Sequence, residues 1–159
     1  KDCVVLVDEK NEVINEMIPA TTHCNVYRSL DVNSGVPEER TMWSYLIKLK
    51  LGQSLTLSEI DSYLNLHKTE VTSYFFTDWD NAFGKKTNPE LENIIKKISE
   101  QYKLFIKKDF ATGLSQYKLD YIITTNPNSQ IIKELTPHLE FILQSHNNKE
   151  TFSLYRFKK

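Results

Sequence analysis

The sequence predicts an α+β domain: a helical core followed by a C-terminal β-hairpin, with a second hairpin added at the N-terminus. Three observations lead there. Between Leu91 and Tyr102 apolar residues recur at i, i+3, i+4, i+7 and i+11, the period of a helix with one buried face. Leu104 to Phe110 and Tyr117 to Ile123 read as two strands; in the second, Tyr117, Leu119, Tyr121 and Ile123 alternate with Lys118, Asp120 and Ile122. Thr56 to Phe75 reads as two closely spaced helices with a well-marked start.

Taken in order, Cys3 to Ile18 reads as two short strands around Asp8-Glu9-Lys10-Asn11, with Asn11 suited to a tight turn. Pro19 to Gly35 is a connector rich in turn formers, with a strand at Cys24 to Leu30. A helix follows from Pro37 to Leu51. Pro37 suits its first position, Glu38 and Glu39 its positive end, and Gly52 its stop. Met42, Tyr45, Leu46 and Leu49, widened by Trp43, Ile47 and Leu51, predict a helix packed on two sides.

Thr56 and Glu59 form a capping-box pattern, and Leu55 with Ile60 has the spacing of a hydrophobic staple. Ile60 and Leu64 then face inward on one helix, Val71 and Phe75 on the next, with the turn at Asn65-Leu66-His67. Asn88-Pro89-Glu90 opens the helix that carries Leu91 to Tyr102. In the tail, helix signals stand at Asn128 or Ser129 and again at Thr136-Pro137, where Leu139, Ile142 and Leu143 extend the apolar face. A closing strand is predicted over Glu150 to Phe157. The implied domain organisation is 1–36 as hairpin and connector, 37–125 as the main domain, and 126–159 as a helical extension with the closing strand.

The stretch Ile60, Asp61, Leu64, Asn65, Leu66, His67, Val71 and Phe75 resembles the winged helix-turn-helix superfamily across residues 37–125. Asp61 stands where the family usually has a small residue, Asn65 where it has Gly, and His67 where it has a capping Ser. The hairpin at Leu104 to Ile123 takes the place of the wing, after an additional helix. The resemblance implies a non-catalytic, DNA-associated role in transcription control or replication initiation. The second helix would then lie in the major groove, with Lys68, Thr69, Thr72 and Ser73 facing it. Lys85, Lys86, Lys107, Lys108 and Lys118 would contact phosphates. That helix lacks an Arg for bidentate guanine reading, and Glu70, Asp78 and Asp80 bring negative charge to it.

The net charge of -1 requires any nucleic-acid role to rest on local clustering of lysines. The same fold used for protein contact or self-association is the alternative. Phe76, Trp79 and Phe83 are its candidate contacts, because the aromatics from Tyr74 to Phe83 cannot all face inward from one helix. A protein partner or a dimer is therefore expected beside DNA.

Catalysis, a metal and a cofactor are not expected. The segment VVLVDEK resembles the carboxylate-and-lysine half of restriction-type nuclease sites, in which Asp8 would hold a metal and Lys10 assist water. A charged turn explains the same residues. LVDEKNEVI also resembles the opening strands of Nudix hydrolases, but no Glu-rich helix follows it. His23 and Cys24 are adjacent, Cys3 adds no metal-binding spacing, and His67, His138 and His146 are scattered. Gly35, Gly52, Gly84 and Gly113 form no phosphate-cradling loop. The two cysteines read as free buried thiols. With no apolar run approaching about 18 residues and no signal-peptide pattern, the expected setting is intracellular: cytoplasm, nucleoid or nucleus.

Overall fold

The computed structural model describes residues 3–8, 12–28, 37–53, 55–76, 88–146 and 150–158. It is a mixed α+β structure. The chain divides into two compact units, one of Lys1–Arg28 with Lys108–Lys159, the other of Ser29–Lys107. The separations thus fall inside the segments 1–36 and 37–125.

The first unit is built on a five-stranded sheet. Its strands are β1 (Cys3–Val7), β2 (Cys24–Val26), β3 (Tyr121–Thr124), β4 (Leu139–His146) and β5 (Thr151–Phe157), in the order β2-β1-β3-β5-β4. β2 and β3 both run parallel to β1, while β5 is antiparallel to β3 and β4 to β5. The run CVVLV is apolar at every position because a central parallel strand is covered on both faces. Val5 and Val7 face helix α1 (Glu12–Thr21), packing with its Ile14 and Ile18 and with Tyr121 and Ile123 of β3. Leu6 and Ile122 point to the opposite face and are equally buried.

The N-terminal hairpin expected over Cys3 to Ile18 is therefore not formed. Its second half is helical because Ile14 and Ile18, four residues apart, make one stripe that fits onto Val5 and Val7. The helix lets β2 return parallel to β1, and Thr22 closes its end, its hydroxyl donating to the Ile18 carbonyl at 2.6 Å. The cysteines also differ from expectation. Parallel pairing sets Cys3 directly opposite Cys24, with Cα atoms 4.5 Å apart, and they form a disulfide.

In the C-terminal part, the hairpin expected at Leu104 to Ile123 is absent. Leu104 and Phe105 complete a helix of the other unit, and helix α6 (Phe110–Leu114) follows. Asp109 caps α6, accepting the Thr112 N–H at 2.8 Å. β3 is a central strand between β1 and β5, and Ile122 is fully buried there. Helix α7 (Gln130–Leu135) starts where expected, with the Ser129 hydroxyl accepting the Ile132 N–H at 3.2 Å. Pro137 then sits in a short 3₁₀ turn (Thr136–His138) that ends the helix. Leu139, Ile142 and Leu143 do not extend a helix but lie in β4, at the edge of the sheet. The closing strand forms as β5.

The second unit is helical among its described residues: α2 (Glu38–Gln53), α3 (Ile60–Leu66), α4 (Lys68–Phe75) and α5 (Leu91–Phe105). Seven residues of α2, from Thr41 to Leu49, are buried, which is the two-sided packing its wide stripe predicts. α5 buries Leu91, Ile94, Ile95, Ile98 and Tyr102 as its period requires. Of the expected Thr56–Glu59 capping box one half forms, the Thr56 N–H and hydroxyl both donating to Glu59 Oε2 at 2.9 and 2.6 Å, while α3 starts at Ile60 with no side-chain cap. Those bonds hold the Glu59 carboxyl below its usual range.

Candidate functional site

The helix pair at the centre of the sequence reading differs from a helix-turn-helix at its turn. Asn65 and Leu66 belong to α3, and His67 alone separates the helices. Its backbone (φ -112°, ψ 34°) breaks the helical run. Its ring stacks on Tyr63 at 4.0 Å, with Nδ1 2.8 Å from the Tyr63 carbonyl oxygen.

Of the groove-facing candidates on α4, Lys68 is ion-paired with Glu92 of α5 and the Thr72 hydroxyl donates to the Lys68 carbonyl at 2.9 Å. Thr69 and Ser73 are exposed. Lys107 and Lys108 are exposed in the turn after α5, and Lys118 lies 3.5 Å from Asp120. Lys107 belongs to the helical unit, Lys108 and Lys118 to the sheet unit. Lys85, Lys86, Trp79 and Phe83 lie outside the described residues. Phe76 is half-buried at the end of α4.

Glu70 is bonded to side chains of its own unit. It accepts from the Tyr45 hydroxyl at 3.2 Å and the Tyr63 hydroxyl at 3.1 Å, and Lys48 lies 3.3 Å away. The Lys48 ammonium also sits over the Tyr45 and Tyr74 rings, at 5.9 and 5.4 Å. Burial, reinforced by the Glu70 charge, pushes the Tyr63 hydroxyl up to about 12 and raises Tyr45 further. This cluster ties α2, α3 and α4 together. Asp61 is held by Lys103 at 2.6 Å and by the Ser99 hydroxyl, and Lys103 is the main reason its carboxyl stays below the ordinary range.

The sheet unit presents a different arrangement. From β1 the chain passes through α1 to β2 on one side, while the next parallel strand, β3, lies on the other side of β1. In open α/β sheets ligands bind outside the carboxyl ends of the strands at such a reversal. Asp8 stands at that end of β1, its N–H donating to the Ile123 carbonyl at 2.8 Å. Thr124 ends β3, and its fully buried hydroxyl lies 3.3 Å from Asp8 Oδ2 while accepting the Asn126 N–H at 2.9 Å. With the Asn126 bond taking a lone pair, the Thr124 proton is directed at the Asp8 carboxylate. Thr124 therefore orients Asp8.

Sequence reading had singled out Asp8 but not Thr124, whose partner is 116 residues away. Among the described residues no group of three or more His, Cys, Asp or Glu side chains is placed to hold a metal, and no helix is long and apolar enough to cross a membrane. No protein family matches the chain, and neither does any curated protein or solved structure.

Proposed function

We propose that the sheet unit binds a phosphate ester together with a divalent cation at the carboxyl ends of β1 and β3. The observation that carries this reading is the position of Asp8 at the point where the strand order reverses, with the Thr124 hydroxyl aimed at its carboxylate. One carboxylate is sufficient protein ligation for such a site. Magnesium keeps most of its waters and is commonly held by one or two carboxylates plus the substrate's own phosphate oxygens. Lys10 follows two positions later in the sequence, the pairing associated with metal-assisted phosphodiester chemistry.

Calorimetric titration with Mn²⁺, with and without adenosine monophosphate, tests the reading. The parent chain is expected to bind both, and Asp8→Asn to lose the cation. A parent chain that takes up neither ends the proposal.

A second reading concerns the helical unit, where Leu66 is 82% exposed at the end of α3. Protein contact is the alternative use of the α3–α4 pair. A winged-helix form for this unit draws support from α3, α4 and α5 alone, and a DNA role for it from Thr69 and Ser73. The disulfide favours an oxidising compartment over an intracellular one.

A further inference from the structure

We propose that the part of the sheet face lying beyond α1 is where a second copy of this chain docks, two-fold related and strand over strand. The two faces of the sheet are covered unequally. On one, Ile122 and Thr124 of β3 and Ser153 and Phe157 of β5 are all buried. On the other, α1 covers Val5 and Val7, but Tyr121 and Ile123 of β3 and Leu154 of β5 are only half-buried, and Leu143 of β4 is 48% exposed. The register makes this a continuous row: Val7 stands beside Ile123, Ile123 beside Leu154, and Leu154 beside Leu143. A solvated antiparallel face turns polar residues outward, whereas this one presents a line of large apolar side chains.

The charges beside that row select the partner. The neighbouring row runs from Tyr121 to Arg156 and Glu140, and the Arg156 guanidinium lies 3.4 Å from the Glu140 carboxylate with both side chains open to solvent. A surface with one cation on β5 and one anion on β4 is complementary to itself. A two-fold axis running along the strands between β5 and β4 lays Leu154 over the second copy's Leu143. The same axis sets Arg156 over the second copy's Glu140, and Glu140 over its Arg156. Each carboxylate then faces two guanidinium groups, and the apolar row closes on its own image. Sheets stacked face to face lie about 10 Å apart, close to the thickness of one helix, so the second sheet occupies the layer beside α1. About five residues of β3, β5 and β4 make a patch of roughly 15 by 15 Å. That is small for a specific interface, so the dimer is a reversible one with a dissociation constant on the order of 100 µM.

Sedimentation equilibrium of the disulfide-bonded chain between about 10 and 500 µM tests the proposal. The parent is expected to pass from monomer to dimer over that range. Arg156→Glu sets carboxylates against carboxylates, and Glu140→Arg sets guanidinium groups against each other. Each is expected to weaken self-association about 10-fold or more. An equimolar mixture of the two variants is expected to form a mixed dimer at least as tight as the parent's, because each supplies the charge the other lost. Misfolded variants could not recover in this way. Leu143→Ser, at an exposed position, should weaken the dimer without any change of charge. A parent chain that stays monomeric at the highest concentration overturns the proposal and leaves this face to a different protein. A parent dimer that neither reversal weakens lies on another surface and overturns it as well. Reversals that weaken association with no recovery in the mixture overturn the pairing of Arg156 with Glu140 across the axis.

Discussion

Replacing Glu70 by Ala should cost the helical unit about 1.5–5.5 kcal/mol, and the sum can be built from the three groups it holds. The Tyr45 side chain is 0% exposed, so its hydroxyl loses its acceptor with no water to replace it, at about 1–3 kcal/mol. Tyr63 is half-buried and can turn to solvent, which limits its share to about 0.5–1.5 kcal/mol. Lys48 and Glu70 are 31% and 28% exposed, so their ion pair adds no more than about 1 kcal/mol. With a denaturant dependence of about 2 kcal/mol/M, the urea midpoint should fall by about 1–3 M. Glu70→Gln should cost less, because it keeps an acceptor for one phenol. The decisive measurement is a double-mutant cycle with Tyr45→Phe. Coupling of about 1 kcal/mol or more is expected, and additivity within about 0.5 kcal/mol would refute the argument that the buried hydroxyl depends on this carboxylate.

Two further outcomes follow from the same structure. Because Tyr63 is raised to about 12 in the folded chain from 10.0, its contribution is fully present below pH 10 and is lost as pH rises towards 12. Urea unfolding over that range should show a loss of stability that Tyr63→Phe reduces, and phenolate absorbance should report the delayed ionisation. Replacing Cys3 and Cys24 together by Ser opens a loop of 21 residues and should lower stability by about 3 kcal/mol, measured against the parent with and without reductant. Equal midpoints for parent and variant under non-reducing conditions would show that the bridge does not constrain the unfolded chain.

What the sequence made legible was local. The contact of Thr56 with the Glu59 carboxylate, the stripe from Leu91 to Tyr102 and the start of α7 are each written within a few residues, and each forms, although the Thr56 hydroxyl does not cap α3. The sheet depends on partners far apart. Val5 pairs with Tyr121, so nothing near Cys3 to Val7 distinguishes a central parallel strand from half of a hairpin. β4 misled for a more specific reason. Its register shifts between Phe141 and Leu143, and the extra residue breaks the two-residue alternation. Leu139, Ile142 and Leu143 then recur at i, i+3 and i+4 in a strand.

The candidate site divides the same way. Asp8 was visible as a charged residue ending an apolar run, and its partner Thr124 was not. The ion pair of Lys68 with Glu92 and the bond from the Thr72 hydroxyl to the Lys68 carbonyl were not legible, the first because it is a tertiary contact and the second because it depends on the helical backbone.

The helical unit is inserted into the sheet unit: the chain leaves the first at Arg28 and returns to it at Lys108. During synthesis β1, α1 and β2 emerge first, yet β1 cannot gain its second neighbour until β3 has been made. For that interval β1 has an open edge of unpaired backbone groups and apolar side chains, the condition that favours association between nascent chains. Helices whose contacts are local can finish folding before β3 exists. The helical unit would then act as a timer, and the Cys3–Cys24 bond as the clasp that keeps the first two strands in register until the sheet is complete.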